Sequence, residues 1–237
     1  MVIGPDPTDH YVRIYSERAD DYEVMTSRED YEGNVAGTLD RIRKADGLDV
    51  VDLGAGTGRL ACLLASRARS VAAFDLAAPM LRVAYDRLKA DGVHNWCAAV
   101  SDHRAIPLPD ASADLVVSGW SLVYTVVWYQ ETWQKELKRA LREIERVLRP
   151  GGTAAIFETM GTGHEVPAPP ADLLSYFAYL EDVGFASEWF RTDFKFTTQD
   201  EARSLTTFFF GEEMAGRTIG TGPVILRECT GVWWRTF

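Results

Sequence analysis

The sequence predicts an α/β fold in which parallel strands alternate with helices. Short apolar runs, typical of strands buried on both faces, occur at residues 49–53, 70–75 and 96–100. Helical patterns with one apolar face lie between these runs, and a glycine-rich turn follows the first of them. This alternation is typical of βαβ units that build a parallel sheet.

The glycine-rich turn holds Gly54, Gly56 and Gly58 between the first predicted strand and the next helix. Glycine has no Cβ, so it suits a sharp turn that a ligand approaches closely. The following helix directs free N–H groups and its positive dipole end into the turn. The Gly-x-Gly-x-Gly spacing differs from that of dinucleotide sites, and Asp52 just before it suits an ammonium group better than a pyrophosphate. The alternative is a tight connection without a ligand.

The segment Asp52 to Gly58 resembles the first motif of the class I S-adenosylmethionine-dependent methyltransferases. The likeness extends over residues 50–158 and is closest to the small-molecule branch that includes the quinone methyltransferases. The turn Leu-Arg-Pro-Gly-Gly at 148–152 is typical of the same family. The resemblance implies a Rossmann-like three-layer sandwich: a mostly parallel seven-stranded sheet with a C-terminal antiparallel strand, N-terminal helices and a small inserted cap. It also implies S-adenosyl-L-methionine as cofactor and S-adenosyl-L-homocysteine as product.

Further acidic and aromatic residues follow the predicted strands. Asp75 lies about 17 residues after Gly58, near the spacing at which an acid accepts hydrogen bonds from ribose hydroxyls, although it also suits a helix cap. The resemblance implies Asp102 as the acid that contacts adenine, and Trp120 is expected to lie against the sulfonium. The cofactor-binding residues predicted in full are Tyr15, Tyr22, Asp52, Gly54, Ala55, Gly56, Thr57, Gly58, Asp75, Leu76, Met80, Ser101, Asp102, His103, Ser118 and Trp120.

Residues 1–237 are expected to form one domain with four parts. These are an N-terminal helical lid (1–47), a cofactor-binding core (48–158), a possible substrate cap (159–185), and a C-terminal helix with strands (186–237). The tyrosines of the first helix either cover the cofactor or only pack the helix onto the core. Met1–Pro7 is expected to be a loose tail.

The periodicity also assigns four long elements. It predicts one helix over Val126–Leu148 and another over Asp200–Arg217. It predicts single strands over Glu188–Phe196 and Val224–Phe237.

Composition and charge limit the partners, metals and compartment that we expect for this protein. The formal net charge of -10 disfavours nucleic acid as a partner. The 3 cysteines show no metal-ligand spacing, so we expect no metal and a reducing compartment. No apolar run is long enough for a membrane span, so we expect a cytoplasmic monomer or homodimer without membrane contacts.

We expect methyl transfer to an O, N or C atom of a small-molecule acceptor by in-line displacement, which depends chiefly on positioning. Relatives often carry histidines after the fourth strand, where this chain has Tyr124 and Thr125. The catalytic residues therefore stay unassigned, and the candidates for a general base are Glu158, His164, Tyr124 and Tyr129. The alternatives are a non-catalytic cofactor-binding or interaction protein on this scaffold, and a dehydrogenase, against which the glycine spacing argues.

Overall fold

The computed structural model describes residues 7–218 and 224–237, and its side chains from His10 onward. The expected tail, Met1–Pro7, lies outside the described residues except for Pro7, which begins the first helix. The strands are β1 Asp49–Leu53, β2 Ser70–Asp75, β3 Trp96–Val100, β4 Ala113–Gly119, β5 Leu148–Thr162, β6 Ala186–Arg191, β7 Phe194–Phe196, β8 Val224–Leu226 and β9 Glu228–Thr236.

Helices occupy most of the connections between strands. The α-helices are α1 Pro7–Glu17, α2 Ala19–Thr26, α3 Asn34–Ile42, α4 Arg59–Ala65, α5 Ala78–Ala90, α6 Tyr124–Trp128, α7 Trp133–Val147, α8 Leu174–Asp182, α9 Gln199–Phe210 and α10 Glu212–Ala215. Short 3₁₀ turns cover Ala171–Leu173 and Gly216–Thr218.

The main sheet has seven strands in the order β3-β2-β1-β4-β5-β9-β6. Strands β1 to β5 run parallel, and β9 runs antiparallel between β5 and β6. The predicted Rossmann-like fold is confirmed. The chain crosses from one side of β1 to the other between β3 and β4, and ligands in such sheets bind at that switch, beyond the carboxyl ends of the strands.

Apolar side chains cover both faces of this sheet. Val51 and Leu53 of β1 point into one layer, with Ile144 of α7, whereas Val50 points into the other layer, with Leu64 of α4. Because both faces are covered, the strands read as nearly continuous apolar runs. This is why β1 and β2 have the bounds that the sequence predicts; β3 also has its predicted bounds but lies at the exposed edge of the sheet.

The helix predicted over Val126–Leu148 is wrong as a single element. The structure has α6 and α7, separated at residues 129–132. Tyr129 leaves the helical path, and its ring lies under the Arg104 guanidinium, whose carbon is 4.6 Å from the ring centroid. Arg104 also binds Glu136 of α7 at 2.6 Å. Long-range contacts of this kind hold the break, and helical periodicity does not report them.

The strand predicted over Glu188–Phe196 is also two elements. β6 completes the edge of the main sheet, whereas β7 pairs with β8 in a separate two-stranded sheet. Asp193 lies at the break and accepts hydrogen bonds from Arg191, Arg227 and the Glu228 N–H. These bonds to the buried carboxylate fix the chain where it leaves the sheet.

The C-terminal strand and helix that were each predicted as one element are also divided in the structure. The strand expected over Val224–Phe237 is β8 and β9, with Arg227 between them, because β8 belongs to the smaller sheet. The helix expected over Asp200–Arg217 ends at Phe210, and α10 and a 3₁₀ turn follow Gly211, whose φ of +90° is outside the helical region.

Candidate active site

A cleft lies at the carboxyl ends of β1, β2, β4 and β5, and it consists of two joined lobes. The β2 lobe is lined by Asp75, Leu76, Met80, Asp102, His103 and Arg104 and opens into about 730 Å³. The β5 lobe is lined by Asp52, Arg59, Glu158, Thr159 and Glu228 and opens into about 980 Å³. Residues shared by both lobes form their junction: Tyr15, Tyr22, Gly54, Gly56, Gly119, Trp120 and Tyr124.

The glycine turn forms the floor of this junction. The N–H groups of Gly54 and Ala55 both donate to the Phe74 carbonyl, at 2.8 and 2.9 Å, so the turn is fixed to β2. All three glycines have positive φ, at +68° for Gly54, +54° for Gly56 and +85° for Gly58. This left-handed backbone favours glycine. The turn therefore presents bare backbone to the cleft.

Asp75 lies beside this turn, at the end of β2. Its Oδ2 accepts from the Gly56 N–H at 2.8 Å, and its Oδ1 accepts from the Ala77 N–H at 2.7 Å, just before α5. Burial raises the pKa of the Asp75 carboxyl. Each carboxylate oxygen can accept a second hydrogen bond, so the side chain can cap the connection to α5 and still receive two ligand hydroxyls.

Asp52 is buried at the end of β1, with 1% of its surface exposed, and lines the β5 lobe. Its Oδ2 accepts from the Ala61 N–H in the first turn of α4 at 2.9 Å. Burial, and to a lesser extent the charge of Asp75, raises the pKa of Asp52 to about 7. The carboxyl group therefore satisfies one of the free N–H groups at the start of α4.

Asp102 lines the β2 lobe but is paired within the protein. The Arg104 guanidinium donates to both Asp102 oxygens, at 2.8 and 2.6 Å, and keeps the pKa of Asp102 low. The neighbouring His103 imidazole is buried, which lowers its pKa to about 4, and its Nε2 lies 3.2 Å from Ser121 Oγ. His103 is therefore a neutral polar group at neutral pH.

Aromatic rings from α1 and α2 cover the junction of the lobes. The Tyr15 hydroxyl is hydrogen-bonded to the Tyr124 hydroxyl. The Tyr15 ring meets the Tyr22 ring edge to face at 5.5 Å, and Tyr22 meets Phe209 of α9 at 5.6 Å. Burial raises the pKa of Tyr15, Tyr22 and Tyr124, so all three keep their protons. Tyr15 and Tyr22 thus line both lobes of the cleft, and their contact with a cofactor stays a prediction.

Trp120 separates the two lobes. Its φ is +50°, a conformation that costs a bulky residue about 1–3 kcal/mol and is found mostly at functional sites. The Trp120 N–H donates to the Phe157 carbonyl at 2.7 Å, and the Arg59 guanidinium carbon lies 4.1 Å from the ring centroid. These contacts hold the indole at the end of β4.

Two acidic groups of the β5 lobe come from β5 and β9. Glu158 Oε1 accepts from the Val123 N–H at 2.9 Å and the Tyr176 hydroxyl at 3.1 Å, and burial raises the pKa of Glu158 to about 8. Glu228 Oε1 accepts from the Thr159 hydroxyl at 2.7 Å. A third acid, Glu29 from the loop after α2, binds Arg59 Nη1 at 2.7 Å.

Most of the predicted site residues lie around this cleft. Ala55 and Thr57 line the β5 lobe, and Leu76, Met80 and His103 line the β2 lobe. The remaining three lie elsewhere: Gly58 packs on Ala84 of α5, Ser101 Oγ donates to the Ala105 carbonyl at 2.9 Å, and Ser118 is buried within β4.

Of the four candidates for a general base, three line the cleft and one lies outside it. Glu158 and Tyr124 line the β5 lobe, and Tyr124 and Tyr129 line the β2 lobe. His164 lies outside the cleft, where its Nε2 is 3.4 Å from Arg217 Nη1 at the surface.

Five further residues that line the cleft were not predicted as site residues: Glu29, Arg59, Glu228, Phe209 and Phe210. They come from segments far apart in the chain. The only local signal is the position of Arg59 directly after the glycine turn.

A glycine turn, an acid after β2 and a lid over a Rossmann-like sheet define a protein that binds a nucleoside-type cofactor. Among known protein families, residues 51–156 match the family model described as methyltransferase domain. This stretch holds the turn, Asp75, Asp102 and Trp120. Residues 51–156 are therefore similar to a methyltransferase domain.

Curated relatives are similar over this domain. A malonyl-[acyl-carrier protein] O-methyltransferase of Serratia marcescens is 38% identical over 117 residues, covering 49% of this chain and 40% of that protein. A ubiquinone/menaquinone biosynthesis C-methyltransferase of Bordetella avium is 36% identical over 126 residues, covering 52% and 45%. The chain thus spans less than half the length of these two relatives.

A solved structure shows the same fold over nearly the whole chain. An S-adenosylmethionine-dependent methyltransferase from Aquifex aeolicus superposes with a TM-score of 0.55 at 18% identity, covering 98% of each chain. Within the described residues, no helix is both long and apolar enough to cross a membrane.

Proposed function

We propose that this chain transfers the methyl group of S-adenosyl-L-methionine to an O, N or C atom of a small-molecule acceptor by in-line displacement. The observation that carries the proposal is the joining of the two lobes at Gly56, Trp120 and Tyr124. One lobe has the groups that a nucleoside needs, and the other leaves room for a second molecule. A displacement reaction requires this arrangement, because donor and acceptor must meet in line.

The residues of the β2 lobe fit the cofactor. A Cβ added to Gly56 would meet only Met80 Cε, at 3.5 Å, so the face of the turn toward the cleft is open for a ligand. Asp75 would accept the ribose hydroxyls, and the side of Met80 would contact the base. Because Arg104 occupies both oxygens of Asp102, we assign the adenine edge to the backbone around Asp102 and His103 together with that carboxylate.

The β2 lobe is also consistent with a charged cofactor at its junction. When bound, S-adenosylmethionine supplies an electrophilic methyl group on a positive sulfur. The Trp120 ring and the Tyr15 and Tyr22 hydroxyls lie where the lobes meet, and their dipoles and π faces favour positive charge. The α1–α2 lid (residues 7–26) excludes water from this point, which strengthens each of these interactions.

Glu158 is the group best placed to accept a proton from the acceptor. It is fully buried, lines the β5 lobe, and its Oε2 has no hydrogen-bond partner in the described part of the chain. A pKa of about 8 lets the carboxyl group exchange a proton near neutral pH. The hydrogen bonds from Val123 and Tyr176 to Oε1 leave Oε2 free to face the acceptor.

The proposal includes an arrangement of the chain and its partners. Residues 1–47 would supply the lid, 48–158 the cofactor core, and 186–237 a wall of the acceptor lobe through Phe209, Phe210 and Glu228. Thr159 and Thr162 are the parts of the expected cap (159–185) that line the lobe, while Tyr176, Phe177 and Leu180 of α8 are buried in the core. We propose a small-molecule acceptor and a monomer or homodimer.

Calorimetry tests cofactor binding. S-adenosylhomocysteine is expected to bind the wild type in the micromolar range, with binding lost in Gly56→Val and Asp75→Asn. Asp86→Asn removes an exposed carboxylate of the neighbouring helix α5 and should bind normally. A titration of the wild type without heat, at two temperatures, would overturn the proposal. Binding without transfer of tritium from methyl-labelled cofactor to any metabolite extract would instead indicate a non-catalytic binding protein.

A further inference from the structure

The β5 lobe contains polar atoms that the protein itself leaves without partners. Glu29 Oε1, Arg59 Nη2 and Glu228 Oε2 are buried, and none has a hydrogen-bond partner among the described residues. All three side chains line the lobe. Glu158 Oε2 is a fourth such atom in the same lobe. Buried polar groups are nearly always paired, so four such atoms around one cavity indicate groups that a ligand satisfies.

Glu29 and Glu228 belong to segments that lie side by side. The Asp30 N–H donates to the Thr192 carbonyl at 3.2 Å, and the Thr192 N–H donates to the Glu228 carbonyl at 3.0 Å. Thr192 therefore joins the loop that carries Glu29 to the start of β9. Burial raises the pKa of both carboxyl groups, and the charge of Glu29 raises the pKa of Glu228 further. A cation between them would lower both values.

The charge of the lobe discriminates among acceptors. Four carboxyl groups line it, those of Glu29, Asp52, Glu158 and Glu228, against the single guanidinium of Arg59. That guanidinium already binds Glu29 Oε2. An anionic acceptor would compete with Glu29 for this guanidinium, whereas a cation would pair with the carboxyl groups and favour their ionised forms.

Part of the lining of the lobe is apolar and aromatic. Phe194 of β7 and Phe209 and Phe210 of α9 line it, with Tyr22 from the lid. Phe210 and Phe194 meet edge to face at 5.9 Å, and Phe209 and Phe210 at 4.8 Å, so these rings form one surface. Such a surface takes the apolar body of a small molecule, and its π faces favour a nearby cation.

We propose that the methyl acceptor is a small amine, which binds as an ammonium ion between Glu29 and Glu228 with its apolar body against Phe209 and Phe210. For transfer, one ammonium proton passes to a carboxylate of the lobe. The freed nitrogen lone pair then forms the bond to the methyl carbon as the bond from that carbon to sulfur breaks, which would leave S-adenosylhomocysteine. This inference rests on the proposed function and specifies its substrate class. The remaining donor, Arg59 Nη2, then serves an oxygen atom of the acceptor or of the cofactor carboxylate. An acidic acceptor is disfavoured, because four carboxyl groups line the lobe and Arg59 already binds Glu29.

The test compares three probes of matched shape on the S-adenosylhomocysteine-loaded protein: 2-phenylethylamine, 2-phenylethanol and 3-phenylpropanoate. Calorimetry is expected to show the amine binding at least about tenfold more tightly than the alcohol, and no binding of the carboxylate. Glu228→Gln, which keeps an oxygen for the Thr159 hydroxyl, should weaken amine binding by about tenfold and leave alcohol binding within about twofold. Glu213→Gln is the matched control, because that carboxylate is 94% exposed and lies outside the cleft.

The outcomes are distinct from those that test the proposed function. Every measurement begins with bound S-adenosylhomocysteine, so a failure of cofactor binding is seen first and concerns the methyltransferase itself. Retained S-adenosylhomocysteine binding in Glu228→Gln shows that the variant is folded. Equal or tighter binding of the carboxylate or the alcohol, no binding of any probe, or unchanged amine binding in Glu228→Gln would overturn the amine assignment.

Discussion

A Cβ placed on Gly54 would lie 1.8 Å from Ser121 Oγ, whereas one placed on Gly56 would meet only Met80 Cε at 3.5 Å. On Gly58 it would lie 3.0 Å from the Ala84 Cβ of α5. Gly54 and Gly58 are thus required by packing within the protein, in addition to their positive φ. Gly56 is the glycine of this turn whose open side faces the cleft. The motif therefore combines residues required for folding with one required for binding.

This difference predicts separate effects of two alanine variants. Gly54→Ala should destabilise the fold by about 2–4 kcal/mol, because the new Cβ overlaps Ser121. Gly56→Ala should cost only about 1 kcal/mol for its positive φ but weaken S-adenosylhomocysteine binding by at least about tenfold. Thermal denaturation and calorimetry measure the two effects.

A variant without the Ser121 side chain is the control for this prediction. Ser121→Gly deletes the two atoms nearest to the new methyl group, so the Gly54→Ala, Ser121→Gly double variant should recover part of the lost stability. Equal losses of stability in the two alanine variants would contradict the assignment of Gly54 to packing and Gly56 to binding.

Glu158 gives a pH-dependent prediction, because its pKa is about 8 in the folded protein and 4.5 is the ordinary value. A raised pKa means that the folded state holds the proton more tightly than the unfolded state. The contribution of the protonated Glu158 carboxyl group to the free energy of unfolding is complete below about pH 4.5, and it is lost as the pH rises through about 8. Wild type should therefore lose about 1–3 kcal/mol more than Glu158→Gln between pH 5 and 8.5.

Urea denaturation at both pH values measures this difference. Asp52 and Glu228 also have raised pKa values, but they are present in both proteins and cancel. Glu213→Gln, at an exposed position, should follow the wild type. A constant difference in stability between wild type and Glu158→Gln across this range would show that Glu158 is ionised in the folded state throughout.

At the scale of elements, the sequence predicted β1, β2 and β3 to the residue. For β1 and β2 the reason is that buried parallel strands leave a clear apolar pattern, whereas β3 is an apolar run on the exposed edge of the sheet. Breaks within longer elements were not predictable in this way. The α6–α7 break depends on Arg104, and the β6–β7 break depends on Asp193, and both side chains act through partners distant in sequence. Local periodicity carries no information about such contacts.

The proposed lid, α1 and α2, can be tested through the aromatic contacts of Tyr15. Tyr15→Ala removes a ring that packs edge to face on Tyr22 and Tyr124, so S-adenosylhomocysteine should dissociate about tenfold faster. Tyr15→Phe removes only the hydrogen bond to the Tyr124 hydroxyl and should have a smaller effect. Stopped-flow fluorescence measures the rates.

Tyr85→Ala is the control for the lid, since Tyr85 is 48% exposed on α5 and packs only on Trp96 among aromatic rings of the described chain. Its dissociation rate should equal that of the wild type. A Tyr15→Ala rate equal to that of Tyr85→Ala would mean that α1 packs beside the cleft without retaining the ligand.

For the whole molecule, the sheet order places the carboxyl ends of β1, β2 and β4 at one edge, and this topology brings Asp52, Asp75 and Trp120 to a common cleft. The sequence predicted this side of the cleft because its residues follow recognisable strands. The acceptor side joins Glu29, Arg59, Phe209 and Glu228, which the chain contributes from four separate segments. Only the folded structure brings them together, so the amine assignment could not come from the sequence.

The joined lobes predict that ligand binding stabilises the elements around the cleft and leaves distant ones unchanged. At 100 times its dissociation constant, S-adenosylhomocysteine should stabilise the protein by about 2.7 kcal/mol. Hydrogen exchange should slow in α1, α2, the glycine turn and α6, whose residues line the junction, and should be unaltered in locally opening parts of α3 and α8. Mass spectrometry of the free and loaded protein measures both groups of peptides. Uniform slowing over the chain, or unaltered exchange in α1 and α2, would show that the lid and the cofactor site are not coupled.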